Sequence, residues 1–394
     1  MAEPLRAILQ LNIQIFKYLL LWPNASFGRA LNVLLLYGYF ALNVFFCTPV
    51  VWAVLYQVYV GIEDIDVMLE ALIAICDIMG YLIAYGCFLK NKEIIENIIK
   101  DINIFLKYCP SRVVKDTDLL CISYTKYMIV YVAIGVAFNL VWPLVSRNSC
   151  IAQKDSEFYL MHDPCGMPTH NFYPFDANRP EIFWLVYLIE GVYVCHICFV
   201  FSLVTVTIIG LMMHIKAQLK CCGKKFQRIN YNGDREGIQK EFVICVNYHQ
   251  EILEYAKRTF NVFKSVVVGY VLITSFATAV IGYQIVQADN IQDRLRYMML
   301  LLAWMFLFFL ICLHAQKLQN QSVSIADSVY NSNWYISLND VDLKRKIMMV
   351  IARAQYPLYF KIEYIGVVSL LRFVAVMKTA YSFFTLLLTA TGKK

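Results

Sequence analysis

The sequence predicts an all-α integral membrane protein with seven transmembrane helices, the N-terminus in the cytosol and the C-terminus outside. Three observations carry this. The first is composition: 60% of the 394 residues are hydrophobic and 16% are charged, whereas a soluble domain has about 45–50% apolar and 25% charged residues. The second is the length of the apolar runs. The third is an uneven distribution of Lys and Arg between alternate loops.

A stretch of roughly 18 or more residues with almost no charge has the length of a bilayer-spanning helix. Seven such stretches occur, near 33–60, 67–89, 121–146, 184–213, 260–287, 297–316 and 366–391. Backbone groups in hydrocarbon must pair internally, so only helices or closed barrels span. These runs are too long and too poor in polar alternation to be barrel strands. Arg6 and Lys17 flank a short apolar segment with no small-residue cleavage site before Trp22-Pro23, so no signal peptide is expected. With no internal repeat or low-complexity tract, 1–394 reads as a single membrane domain.

Positive charge in short loops marks the cytosolic side. The N-terminal 32 residues hold three Lys or Arg, and segments 90–120, 214–259 and 317–365 hold six, nine and six. The alternate segments 61–66, 147–183 and 288–296 hold none, three and two, and the C-terminus adds Lys393 and Lys394. The imbalance is 24 against 7. It places the N-terminus inside and, after seven crossings, the C-terminus outside. A G-protein-coupled receptor has the opposite orientation and is excluded on this ground. The net charge of +7 then belongs to cytosolic loops facing anionic headgroups. Nucleic acid is not an expected partner, because the basic residues alternate with acids and lie beside spans.

The cytosolic segments are expected to be helical. In 90–106, Ile94, Ile95, Ile98, Ile99, Ile102 and Leu106 fall on one face, as do Ile238, Phe242, Cys245, His249, Ile252 and Tyr255 in 236–258. A third helix is expected over 340–354, stopping near Pro357. Such helices lie on the bilayer surface or pack into a layer below it where subunits meet; the second reading is preferred.

In the seventh span, Lys378, Ser382, Thr385 and Thr389 are spaced 4, 3 and 4 apart and share one face. A polar stripe on a membrane helix faces water or another helix. Alternatively, its hydroxyls bond their own backbone or form a helix–helix seam. Asp77 and Glu190 are ionisable groups inside spans. They are candidates either for contacting a hydrogen-bonding ligand or for pairing with each other, with Asn139 or with His196.

Most of the 13 cysteines lie inside spans, where a thiol is a small apolar group. Cys150 and Cys165 share the outer loop 147–183 and are the candidates for a disulfide. Cys221-Cys222, near a helix end, is a weak palmitoylation candidate. The sequons at Asn24 and Asn320 fall on the cytosolic side and should be unmodified. His162, Cys165 and His170 match no zinc spacing. No phosphate loop, nucleophile elbow or catalytic His/Asp pair is present, so neither enzyme activity nor a cofactor is expected. A membrane transferase would need polar residues converging at one interface, and none cluster so.

The most specific text lies near the C-terminus: Asn333-Trp334-Tyr335, Lys344-Arg345-Lys346, Arg353-Ala354-Gln355-Tyr356-Pro357, Gly366, Phe373, Lys378 and Ala380-Tyr381-Ser382-Phe383-Phe384-Thr385-Leu386-Leu387. This resembles the C-terminus of insect odorant receptors, where a Trp-Tyr, an Ala-Gln-x-Pro and a final Tyr-Ser-x-Phe-Thr-Leu-Leu occur in this order. Sharp similarity is confined to about 330–388; length, span number and topology agree elsewhere. The related gustatory receptors end in a Thr-Tyr…Gln-Phe pattern that is absent here. A gustatory-type homotetramer is nonetheless the principal alternative.

The resemblance implies a tetrameric, non-selective channel for monovalent and divalent cations that needs no G protein. This chain would be its odorant-tuning subunit, assembled with the shared co-receptor, Orco, whose long insertion after the fourth helix this chain looks to lack. The seventh helix of each subunit would line the pore. Lys378, Ser382, Thr385 and Thr389 would face it, with Leu386 as a hydrophobic constriction that gates by dewetting. A small volatile ligand would sit in the outer half of the membrane, among helices 2 to 6. Depth and residue type then nominate Ile73, Cys76, Asp77 and Gly80 on helix 2, and Gly135, Phe138, Asn139 and Trp142 on helix 3. They also nominate Tyr187, Glu190, Gly191 and Val194 on helix 4, Thr278 and Tyr283 on helix 5, and Tyr297, Leu301 and Trp304 on helix 6.

Overall fold

The computed structural model of the chain describes residues 8–23, 28–60, 65–153, 162, 164–169, 173–288, 291–336, 340–363 and 365–390. Asn24, His170, Lys393 and Lys394 lie outside them. Seven helices are long and apolar enough to cross a membrane. They are α2 (Arg29–Val60), α3 (Ile65–Asp101), α4 (Ser111–Gln153), α5 (Pro180–Gln227), α6 (Arg235–Gln287), α7 (Ile291–Tyr330) and α9 (Leu370–Ala390). These correspond in order to the seven predicted spans. A short α1 (Gln10–Tyr18) precedes them, and α8 (Val341–Ala354) falls between α7 and α9.

The helices outrun the predicted spans because hydropathy marks where lipid ends, not where helix ends. The second span and the cytosolic segment after it form one rod, α3, finished by a 3-10 turn at Ile102–Lys107. Segments 236–258 and 260–287 are likewise one 53-residue helix, α6, whose first turn is capped by Asp234 accepting from Gly237 N–H. The start expected for the seventh span, residue 366, is corrected. Gly366–Val367 is a strand (β2) paired antiparallel with Lys361–Ile362 (β1), and the helix begins at Leu370. Gly366 has φ 95°, a left-handed conformation that glycine adopts at low cost and that no α-helix continues.

The core runs along α5. Residues 200–215 of this helix are buried without a break, and a helix that is apolar on every side sits inside a bundle. It packs on α4, α7 and α6, while α3 packs along α6, and α9 lies against α6 and α7. Gly80 lets α3 approach closely: a Cβ there would lie 2.6 Å from the Phe201 ring and 2.7 Å from Ile273. By contrast, α2 leaves Leu34, Phe45, Trp52 and Leu55 exposed, the surface expected of a helix in lipid.

The N-terminal helix packs on the bundle by one face, leaving Gln10, Gln14 and Tyr18 exposed. In α1, Asn12 and Phe16 are buried, and Phe16 packs on Phe88 of α3 with ring centroids 4.7 Å apart. The Leu9 N–H, ahead of the first turn, donates to Asp118 Oδ1 at 2.8 Å. Asn12 donates to Thr207 Oγ1 at 3.0 Å and accepts from Thr125 Oγ1 at 2.7 Å. These bonds fasten α1 to α4 and α5. They also satisfy polar groups that would be costly in an apolar bundle.

On the side that the charge count assigns to the cytosol, the helical extensions pack on each other. Ile95, Ile98, Ile99 and Ile102 are buried, while Ile94 and Leu106 lie exposed at the edge of the stripe. The expected face of α6, from Ile238 to Tyr255, is buried throughout at its six nominated positions. Tyr255 donates to the Ile98 carbonyl at 3.0 Å, and Tyr108 to Glu251 at 2.9 Å. Arg258 pairs with Asp101 at 2.9 Å, and Arg235 with Asp340 at 2.7 Å.

Candidate ligand cavity and pore face

Two cavities share a wall in the half of the bundle assigned to the outside. The outer one, of about 120 Å³, is lined by α3, α4, α5, α7 and the loop residues Pro168 and Thr169. The inner one, of about 160 Å³, lies deeper among the same four helices and ends at Phe201, Trp304 and Leu307. Asp77, Asn139, Ile197, Cys198 and Leu300 line both, so the two lobes adjoin at these residues, the waist between them. Apart from a few polar groups the lining is apolar, as a site for a small volatile molecule requires.

Seven of the nominated ligand residues reach these lobes: Ile73, Asp77, Gly135, Asn139, Val194, Tyr297 and Trp304. Tyr187 and Gly191 line a different, apolar groove with Trp184, Leu188 and Phe199, and the Tyr187 hydroxyl donates to the Leu140 carbonyl at 2.7 Å. Cys76, Gly80, Phe138, Trp142, Glu190, Thr278, Tyr283 and Leu301 are not among the residues that line either lobe. The helix 5 candidates thus sit apart from the lobes: Tyr283 of α6 is fully buried in the core. Phe138 and Trp142 stack on each other, with centroids 5.0 Å apart. Sequence reasoning missed Tyr193, Ile197, Cys198 and Leu300. Ile197 and Cys198 lie three and four residues after Val194, and Leu300 three after Tyr297, a usable signal once one residue of each face was known; Tyr193, next to Val194, lies four before Ile197.

Glu190 anchors the roof. Buried on α5, it accepts from the Thr169 N–H at 3.1 Å and from the Tyr173 hydroxyl. Arg296 of α7 donates to the Pro168 carbonyl at 2.6 Å. Cys150 and Cys165 form a disulfide with Cα atoms 5.8 Å apart, tying the end of α4 to the start of this loop segment. Gly166 follows it with φ 91°, packed against the Arg147 side chain, and the Arg147 guanidinium lies 3.8 Å from the Phe183 ring centroid. The outer loop is therefore held on three sides: by α4 covalently, by α5 through Glu190 and by α7 through Arg296. None of the residues that line the lobes lies between 178 and 192 or on α6.

A second candidate surface lies on α9. Val376 and Ala380 face the bundle, and Phe373 packs on Phe308 and Phe309 of α7. The opposite face is exposed at Lys378, Ser382, Leu386 and Thr389, with Thr385 half-buried beside them. Within the single chain, Ser382 donates to the Lys378 carbonyl at 3.1 Å, Thr385 to Ser382 at 2.9 Å and Thr389 to Thr385 at 3.1 Å. The hydroxyls bond their own helix, and the face they occupy is exposed or half-buried in the single chain. No group of three or more His, Cys, Asp or Glu side chains able to hold a metal occurs among the described residues.

A family model described as 7tm Odorant receptor matches residues 114–381. Odorant receptor 67c of Drosophila melanogaster is 26% identical over 290 residues, 71% of this chain and 65% of that protein. Putative odorant receptor 92a of the same fly is 25% identical over 291 residues, covering 71% and 64%. Odorant receptor Or2 of Anopheles gambiae is 27% identical over 149 residues, covering 36% and 37%. The chain thus spans less than two-thirds of the length of these curated relatives. Among solved structures, the insect olfactory receptor OR5 from Machilis hrabei superposes with a TM-score of 0.76 at 17% identity, covering 97% of this chain and 98% of that one. The same receptor in complex with eugenol gives 0.77 at 16%, with the same coverage. At these identities the likeness is one of fold.

Proposed function

The chain belongs to the seven-transmembrane odorant receptor family, a family of multi-pass membrane receptors rather than enzymes, and from that premise we propose that it is the odorant-tuning subunit of a ligand-gated cation channel in the plasma membrane of olfactory neurons. One observation carries the reading: a two-lobed, mainly apolar cavity under a tethered outer loop. In this reading a volatile ligand occupies the lobes and has higher affinity for the arrangement of α7 and α9 that opens the pore. The Phe308–Phe373 and Phe309–Phe373 contacts join the helix that walls the cavity to the helix that carries the polar face.

The exposed face of α9 supports assembly around a central axis. Lys378, Ser382, Thr385 and Thr389 would line an aqueous path, and Leu386, 61% exposed, would narrow it. Lys378 is the awkward member for a cation path, and its long stem lets the ammonium snorkel toward the cytosolic end. Partnership with the co-receptor Orco follows from the resemblance of the C-terminal text and is part of the proposal. The deciding experiment is voltage clamp of cells expressing this chain with and without the co-receptor, during an odorant panel. The reading expects cation current only on co-expression. Current from this chain alone would replace it with a self-sufficient homomeric channel. Silence in both, with the chain at the surface, would remove the channel role.

A further inference from the structure

Three polar side chains line the outer lobe, two of them at the waist. Asp77 of α3 and Asn139 of α4 line both lobes, and Tyr193 of α5 lines the outer one beside them. Buried polar groups almost always have hydrogen-bond partners, yet Asp77 Oδ1 and Tyr193 Oη have none among the described residues. No ion pair among the described residues includes Asp77. Arg296, the cation that shares the outer lobe, is turned to the Pro168 carbonyl. The Trp304 indole reaches Asp77 from α7. Asn139 commits its amide nitrogen to the Gly135 carbonyl at 2.9 Å. That leaves its second N–H, a donor, and the amide oxygen, an acceptor.

We propose that this waist recognises the hydroxyl group of a small alcohol or phenol, with the ligand's hydrocarbon filling one lobe or both. The inference rests on the reading of the cavity as the odorant site and adds the chemical class. The pair of unmet groups is asymmetric. Asp77 keeps an acceptor lone pair in either charge state, whereas a tyrosine hydroxyl can donate as well as accept. A ligand hydroxyl satisfies both at once: its O–H donates to Asp77 and its oxygen accepts from Tyr193. An ether or ester only accepts and leaves Asp77 unmet. An ammonium could donate to both groups, but it would carry a charge into a mainly apolar lining, which costs more than burying a hydroxyl. The terminal torsion of an aspartate is soft, so turning Oδ1 toward the waist needs no backbone movement. Each lobe is close in size to the roughly 150 Å³ apolar cavity that holds a benzene molecule. That suits the hydrocarbon part of a small volatile alcohol.

The test uses alcohols paired with hydrocarbons of the same shape: 2-phenylethanol with propylbenzene, 1-hexanol with heptane, and cyclohexylmethanol with ethylcyclohexane. Two readouts are taken at equal free concentration: evoked current in cells with the co-receptor, and the shift in unfolding temperature of the purified chain. At least one alcohol should outperform its partner tenfold or more in potency. Tyr193→Phe, which removes one oxygen and little else, should cut that ratio at least threefold. Asp77→Leu should erase it. Equal potency within every pair, no shift with any ligand, or a ratio that survives in both variants would overturn the inference. An alcohol-specific shift in unfolding temperature, lost in Tyr193→Phe but without any current, would leave the inference standing and remove the channel reading instead.

Discussion

Asn12 donates its side-chain amide to Thr207 at 3.0 Å across 195 residues of sequence, and the same amide accepts from Thr125. This triad makes the N-terminal helix part of the bundle. Thr125 and Thr207 also donate to or lean on their own helices, through the Cys121 and Leu203 carbonyls, so removing Asn12 does not strand them. We expect Asn12→Leu to cost about 1 kcal/mol, read as a lowered unfolding temperature of the purified chain. An unchanged temperature would show that α1 is held by apolar packing alone.

Glu190 and Tyr173 set the second expectation. Substituting Glu190 with Leu removes the acceptor shared by Thr169 and Tyr173, so the roof should open more often. A loss of about 1 kcal/mol raises opening roughly fivefold, measurable as faster amide exchange over 164–169. Potency should fall for all ligands alike. A selective effect on one ligand would make Glu190 a ligand contact, the alternative that the sequence left open.

The Cys150–Cys165 disulfide closes a loop of sequence separation 15. Chain-entropy reasoning gives at most about 3 kcal/mol for a loop of this length. The paired Cys150→Ser, Cys165→Ser chain should unfold at lower temperature and bind ligand more weakly, because Pro168 and Thr169 line the outer lobe. Identical unfolding with and without reductant in the unmodified chain would contradict this.

On α9, Leu386→Ala should raise the current that flows without ligand, and Thr385→Val should shift the relative permeability of cations. Both are read from reversal potentials and basal current in co-expressing cells. If either change moved only odorant potency, the pore face would be misassigned.

Asp340 offers a pH signature. Its carboxyl accepts from the Leu343 N–H, capping α8, and from Arg235; these hold it below the usual carboxylate range. A depressed folded value means the contribution is fully present above the unfolded value of about 3.9 and is lost as pH falls through the folded value. Amide protection at the start of α8 should therefore hold steady from neutrality to about pH 5 and weaken below about pH 4. In Asp340→Asn, which keeps a capping oxygen but not the charge, that acid-limb loss should vanish. If it persists, another group is titrating.

The sequence alone determined the number and order of the spans, and the charge distribution that orients them. Those properties depend on local length and composition: lipid forces each helix to satisfy its own backbone, so every span declares itself. The continuity of α3 and α6 below the membrane was also legible, because their apolar stripes keep helical spacing through Ile102 and from Ile238. Tertiary structure alone decided three things. It packed one face of α1 against the bundle, since nine residues are too few to declare a span and their partners Thr125 and Thr207 are remote. It turned Glu190 to the roof and Asp77 to the cavity, although both are single acids in apolar runs. It also chose which residues at one depth face the cavity: Tyr193 and Cys198 line it, while Phe138, Leu301 and all of α6 do not. Depth is a property of the chain, but facing is a rotation about each helix axis, and that is fixed only by packing against the neighbours.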